Sequence, residues 1–380
     1  MMASTFAYTK PPLTINALSL VVIMCCATNL AAAAIGEDVE QDMAMRARYE
    51  RWVAKHGRTY KDHAEKERRY EVFRSNAEFV DSYNAAAATA AARGKSSKSS
   101  PRLAINKFSD LTGDEFKAMY LKLKDDVGRI EGSIPGFMYG NLSESDVPAS
   151  RNWTAMGAVT AVKNQAQCAS CWAFSAVAAV EGIHAIRTGN LVSLSEQQLL
   201  DCSTGRNNRG CNEGDMEEAF LYIARKRECH PYCAFKHHGL SAESAYPYRA
   251  VQSSCSAFRK RPAAFIRGFQ YVPANNETAL RLAVSQQPVS VALDGACRTF
   301  QYYSSGVFGA AAVRCKNSSL NHALTAVGYG TDEHGTRYWL MKNSWGTDWG
   351  EGGYVRIARD LASDAAGVCG LAVQASYPVA

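Results

Sequence analysis

Between residues 35 and 146 the sequence has no cysteine, although the chain of 380 residues carries 12 in all. Nor does it have an internal repeat, so it is not a repeat array. It lacks a long basic stripe interleaved with aromatics. The net charge of +6 is spread over mixed-sign segments, and clusters such as Arg225-Lys226-Arg227 are short. A nucleic-acid groove is therefore excluded, and these charges read as solvated surface. No second Cys or His pair stands at zinc-ligand spacing from Cys168 and Cys171, which leaves no metal site; no cofactor is expected. What remains, 47% hydrophobic and 21% charged residues, is the make-up of a soluble globular protein with room for two domains.

The N-terminus has Lys10, then the apolar run LSLVVIMCCA, then AAAA at 31–34. Charge, a short apolar core and small residues form the layout of a secretory signal peptide, with cleavage near Ala34. A membrane anchor is the competing reading, but the run is short of a full span and Asn29 interrupts it. No later segment has the length to cross a membrane, and the terminal YPVA is not an ER-retention signal. Cys25 and Cys26 leave with residues 1–34, so ten cysteines remain, all at or after Cys168. In an oxidising compartment most of these should pair. Four sequons, at Asn141, Asn152, Asn276 and Asn317, fit a secreted glycoprotein.

Composition shifts near residue 147. The part before it is charged and helical in pattern, interrupted by AAAATAAARGKSSKSS, an Ala/Ser/Lys stretch expected to be a flexible loop. The part after it is rich in Gly, Tyr and Trp, with alternating runs such as PVSVAL and YWLMKNS that predict strands. In the early part Glu65, Arg69, Phe73, Asn76, Val80 and Asn84 recur at steps of three or four and share one helical face. Two charges and two asparagines make a poor core stripe, so this face is read as a docking surface.

In QCASCWAFS, Cys171 opens a long helical pattern, WAFSAVAAVEGIHAI, with Phe174, Val177, Ala178, Ile183 and Ile186 as its apolar face and Gly189 as its stop. A thioredoxin-like pair would need a strand-helix-strand context, which this is not. At a helix N-terminus the positive end of the dipole favours a thiolate. A lone cysteine there is usually structural, but three partners stand elsewhere in the chain. Gln165 offers a side-chain amide to a developing oxyanion, His322 a base, and Asn343 a group to orient the imidazole, with Trp345 shielding that bond.

The segment from 147 to 380 resembles the papain-family cysteine proteases through VKNQ, CWAFS, LSEQQLLDCS, AYPY, NHA, GYG, KNSWG and GVCG. The helical stripe resembles the ERFNIN motif of cathepsin L-like propeptides, with Val80 in the Ile place. Asn106, Phe108 and Asp110 resemble the second propeptide motif, with Ala104 where a glycine is usual. The resemblance implies an α+β, papain-like fold of two lobes behind a helical propeptide domain. Its divisions are a signal peptide at 1–34, an inhibitory propeptide at 35–146 and a peptidase at 147–380, with a helical lobe over about 156–270 and a β-barrel-like lobe over about 271–380. It implies Cys171 as nucleophile, His322 as general acid/base, Asn343 as orienter and Gln165 as oxyanion donor. Cys168 would pair with Cys211, Cys202 with Cys255, and Cys315 with Cys369.

Gly214 would then lie along the substrate, and Asp215, Met216, Ala292, Ala323 and Gln374 around the pocket for the second residue before the scissile bond. The expected activity is that of a secreted or vacuolar endopeptidase, a monomer made as a zymogen. Its partners are peptide substrates, its own propeptide and cystatin-like inhibitors. A catalytically impaired homologue that binds or stores is the alternative; the complete Cys, His and Asn set speaks against it. Acid pH is expected to release the propeptide by protonating carboxylates such as Glu65, Asp110 and Asp114.

Several positions depart from the family. Ala166 and Ala169 replace glycines, and at Ala169 a positive φ would cost about 1–2 kcal/mol whereas a negative φ would cost little. Glu213 replaces the first of two glycines after Cys211. Asp215 stands in a pocket that is usually apolar, and is expected either to turn to solvent or to admit a basic side chain. Residues 225–240 form an insert carrying Cys229 and Cys233; with Cys297 these make three further cysteines, an odd number.

Overall fold

The computed structural model describes residues 38–93, 100–124, 130–205, 207–225, 239–257, 261–309, 315, 319–361 and 365–380. The signal-peptide segment, Asn317, Cys229 and Cys233 lie outside them. The chain divides into two compact units, Met1–Arg74 and Ser75–Ala380.

In the first unit, helix α1 (residues 38–56) packs its aromatics against the first turns of α2 (His63–Ala92). The ring of Tyr49 lies 5.5 Å from Tyr70 and 5.2 Å from Phe73, so apolar burial holds the pair of helices together. Charge ties the rims: Arg46 bridges Asp42 and Glu67, and Glu65 receives Arg69 at 2.8 Å in the favourable i, i+4 order. Helix α2 runs on through Ala92, so the alanines read as loop are helical. Alanine is the best intrinsic helix former, and that preference outweighs the low complexity.

In the second unit, β1 (Arg102–Leu103) follows, then α3 (Gly113–Tyr120), started by a reciprocal capping box between Thr112 and Glu115. Next come β2 (Arg151–Asn152) and α4 (Cys171–Thr188), which Gly189 ends in the left-handed conformation. Helices α5 (Glu196–Cys202) and α6 (Met216–Ala224), strands β3 (Leu240–Ser241), β4 (Pro262–Ala264) and β5 (Gly268–Tyr271), and helix α7 (Glu277–Gln286) lead to β6 (Val289–Leu293). The short α8 (Arg298–Gln301), then β7 (Tyr303–Ser305), β8 (Val307–Phe308), β9 (His322–Thr331), β10 (Arg337–Lys342), β11 (Tyr354–Ala358) and β12 (Ala375–Val379) complete the chain.

One sheet runs β5-β12-β6-β9-β10-β11-β8, with β2 also on β9. Its pairs are antiparallel except β11–β8. Its core gathers Leu293, Phe300, Leu324, Trp339, Met341, Val355 and Tyr377. A second core, around Trp172, Val177, Leu199, Met216, Phe220 and Leu240, belongs to the helices. Helix α4 lies between the two and is buried on nearly every side, as an all-round apolar helix must be. Its last turn breaks the predicted face, because Ile186 emerges at the surface. Disulfides join Cys168 to Cys211, Cys202 to Cys255 and Cys315 to Cys369. Cys171 and Cys297 are free thiols. The sequons at Asn141, Asn152 and Asn276 are exposed, and Asn276 also caps α7.

Candidate active site

Cys171 is the first residue of α4, so the helix directs its N-terminal amides toward the sulfur. His322 opens β9, and Asn343 follows the last residue of β10. These strands are neighbours in the sheet, which sets His322 Nε2 at 2.9 Å from Asn343 Oδ1. The Trp345 indole stacks on the imidazole at 4.5 Å, and both residues are buried. His322 Nδ1 has no hydrogen-bond partner among the described residues. The backbone amide of Ala323, next to His322, reaches the Cys171 sulfur.

Gln165 is held from both sides. Its backbone N–H donates to the Ser344 carbonyl at 2.8 Å, and its Oε1 accepts from Ser344 Oγ at 2.6 Å. The Tyr248 hydroxyl donates to the Gln165 carbonyl at 2.7 Å. The amide Nε2 is thereby aimed at the carbonyls of Cys168, at 2.9 Å, and Tyr120, at 3.3 Å. Sequence reasoning missed Ser344 and Tyr248: KNSWG and AYPY contain them, but nothing local in either motif says where a hydroxyl points.

A strand from the early part of the chain lies over this site. Tyr120 presents its carbonyl to Gln165, and the Lys122 backbone amide is among the groups that favour the Cys171 thiolate. Leu123 pairs with Gly214: Gly214 N–H donates to Lys122 O at 3.3 Å, and Lys124 N–H donates to Gly214 O at 2.8 Å. The segment is anchored upstream by aromatics. Phe108 and Phe116 meet the Trp345 ring edge-on at 5.3 and 5.4 Å, so the segment leading into this strand packs on the residue that covers His322. Lys107 donates to the Trp345 carbonyl and pairs with Asp348, and Asn106 donates to the Gln301 carbonyl. On the docking face of α2, Asn76 bonds the carbonyls of Ser109 and Leu111, and Asn84 bonds Leu103. Asp114 does not take the tethering place expected of it. It is almost fully exposed and faces Lys117 of its own helix.

Burial under this strand sets the protonation states. It pushes the Cys171 thiol up to about 11, against the backbone amides that favour the thiolate. It pushes His322 down to about 4, against the bond to Asn343 that favours the cation. The resemblance implies a thiolate–imidazolium pair. In the covered site both groups are instead neutral at pH 7, because neither charge has water around it.

Met216, Ala292 and Ala323 are buried in one cluster with Leu123. Gly214 must be glycine, since a Cβ there would stand 2.3 Å from the Trp172 indole. Asp215 does not turn to solvent. It is fully buried and caps α6 by accepting from Glu218 N–H at 2.8 Å. Gln374 Nε2 donates to Asp215 Oδ2 at 3.3 Å and to Glu217 Oε2 at 3.0 Å. Burial first, then the Glu217 charge, holds the Asp215 carboxyl well above the usual carboxylate range. Ala169 is not among the residues of positive φ, so its methyl costs little; Ala166 is, at φ 51°.

The papain family cysteine protease model matches residues 147–379, and the cathepsin propeptide inhibitor domain model matches residues 49–116. The chain is 44% identical over 364 residues to the senescence-specific cysteine protease SAG39 of Oryza sativa subsp. japonica, an alignment covering 95% of this chain and 98% of that one. It is 40% identical to fruit bromelain of Ananas comosus, covering 95% and 93%. Among solved structures it is similar to a recombinant stem bromelain precursor, with TM-score 0.74 and 40% identity over 88% of this chain and 99% of that one. With a papain-like fold, a propeptide inhibitor domain and relatives of this kind along most of its length, the chain belongs to the papain family of cysteine proteases, as an endopeptidase made in zymogen form.

Proposed function

We propose that Cys171, His322, Asn343 and Gln165 carry the hydrolysis. The observation behind this reading is the lie of the pro-strand, whose Tyr120 carbonyl accepts from the Gln165 amide and whose Leu123 pairs with Gly214. Once that strand leaves, water reaches the site, and His322 takes the Cys171 proton at Nδ1. The helix N-terminus then favours the thiolate, and Asn343 Oδ1 accepts from the protonated Nε2. The thiolate attacks a peptide carbonyl, and the resulting oxyanion receives the Gln165 amide and the Cys171 N–H. His322 returns its proton to the leaving amine as the C–N bond breaks. The same imidazole next takes a proton from the water that attacks the thioester; the C–S bond breaks, the acid product leaves, and the Cys171 thiolate is restored beside the imidazolium.

Residues 1–34 serve as a leader to the secretory pathway, toward vacuole or extracellular space; 35–146 are the inhibitory pro-segment and 147–380 the mature monomer. Cystatin-like inhibitors would occupy the cleft that the pro-strand vacates. Acid favours release. Pro-segment carboxylates such as Glu65, held below its ordinary value by its bonds to Arg69 and Arg68, lose their ion pairs as pH falls below about 4 and so loosen the pro-segment.

The test holds the purified full chain at pH 4–5 and follows a fluorogenic dipeptide, for the wild type and Cys171→Ala. Self-processing with new activity in the wild type alone is expected. An inactive wild type, or an active Cys171→Ala, overturns the assignment.

A further inference from the structure

Gly214 fixes the register of whatever strand lies in the cleft. In the zymogen it places Leu123 opposite itself, buried with Met216, Ala292 and Ala323, and Lys124 one step farther from Cys171. The resemblance assigns that apolar pocket to the second residue before the scissile bond. The pro-strand moves away from Cys171 as its numbering rises, so it runs opposite to a cleavable substrate. Lys124 therefore occupies the place of a substrate's third residue before the bond.

At that place stands Glu213, where the family has a glycine. Its Oε2 lies 3.7 Å from Lys124 Nζ, and its Oε1 is held by Arg209 at 3.1 Å. The two cations thus divide the two oxygens. The loop that carries it is fixed: Arg209 N–H donates to the Glu213 carbonyl at 2.9 Å, Asn212 N–H donates to the Arg209 carbonyl, and Cys211 between them is bonded to Cys168. Glu213 is about a quarter exposed beneath the pro-strand, and loss of Lys124 leaves Oε2 facing the emptied groove. Asp215, by contrast, is committed to capping α6 and to Gln374, so it is not available as the cation reader of this cleft.

We propose that Glu213 makes the third-residue subsite selective for lysine or arginine. This rests on the proteolytic reading above. The pro-segment, through Leu123 and Lys124, already presents both side chains to the cleft in reverse.

The test uses enzyme activated from the full chain and three fluorogenic tripeptides, Lys-Leu-Arg, Ala-Leu-Arg and Glu-Leu-Arg, with the wild type and Glu213→Gln. A part-exposed ion pair gives about a two- to fivefold preference for Lys over Ala in kcat/KM, with Glu below Ala. The Lys-to-Glu ratio should shrink in 0.5 M salt, roughly to parity, and fall below about twofold in Glu213→Gln. An unchanged ratio in Glu213→Gln overturns the proposal. Failure to cleave any of the three counts against the proteolytic reading instead, and the subsite is then decided on the zymogen itself. There, amide exchange of residues 122–124 should rise in Lys124→Gln and in Glu213→Gln, and rise no further in the double variant. Additive effects overturn the proposal.

Discussion

Pro-segment cover should silence Cys171 chemically as well as sterically, and its pH profile separates the two effects. The perturbation is alkylation of the intact zymogen with iodoacetamide between pH 6 and 9, with Cys297→Ser to leave Cys171 the one free thiol among the described residues. A rise from 9.0 to about 11 lowers the thiolate fraction at pH 7 from about 1 in 100 to about 1 in 10,000. That corresponds to roughly 2.7 kcal/mol against ionisation. Steric cover alone lowers the rate by a constant factor and leaves the profile bending over by pH 9, as a thiol of 9.0 does, whereas the raised pKa keeps the rate climbing tenfold per pH unit through pH 9.

The assay is the second-order rate at Cys171, read by peptide mass mapping. The zymogen should climb with unit slope across the whole range, with no plateau below pH 9. The activated enzyme should lose that slope, because its imidazolium and helix N-terminus hold the thiolate at neutral pH. A zymogen whose rate levels off near pH 7 would refute the reasoning: its thiol would already be ionised beneath the pro-strand.

Three other outcomes follow from the geometry. Ala166→Gly should raise stability by about 0.5–1 kcal/mol in urea unfolding, since relief of a left-handed alanine exceeds the extra freedom of the unfolded chain. Asn343→Ala leaves the imidazole Nε2 buried without its partner; a loss of 1–3 kcal/mol predicts kcat/KM down about 5- to 150-fold. The bond to Tyr70 lowers the Asp42 carboxyl, and the bond to Arg69 lowers Glu65. Both contribute stability above their ordinary values near 4 and lose it as pH falls through the lowered ones. Protection of the amides in residues 38–74, relative to the intrinsic exchange rate at each pH, should therefore fall below about pH 4 and hold between 5 and 7.

The parts of the site that were legible in the sequence are those carried by contiguous motifs. Cys171 could be placed on a helix N-terminus because WAFSAVAAVEGIHAI has helical spacing and Gly189 ends it, as found. The strands of PVSVAL and YWLMKNS appear as β6 and β10, since period-two alternation survives in any sheet. The contact of Tyr120, Lys122 and Leu123 with Gln165, Cys171 and Gly214 left no local trace. It joins residues far apart in sequence, largely through backbone atoms that every residue type supplies. Asp215 misled for a related reason: a carboxylate in an apolar pocket reads as a ligand group, but here it is the cap of the next helix. The alanines after Asn84 misled in the other direction, because low complexity suggested a loop where helix propensity prevailed.

The central claim is that one sulfur, under one pro-strand, forms the acyl-enzyme. Activated enzyme mixed with a p-nitrophenyl peptide ester and quenched in acid within the first turnover should carry one acyl group. Peptide mapping should find it as a thioester on Cys171, and the unprocessed zymogen should carry none. Acylation of Cys297, or steady hydrolysis with no acyl group on Cys171, would contradict the account.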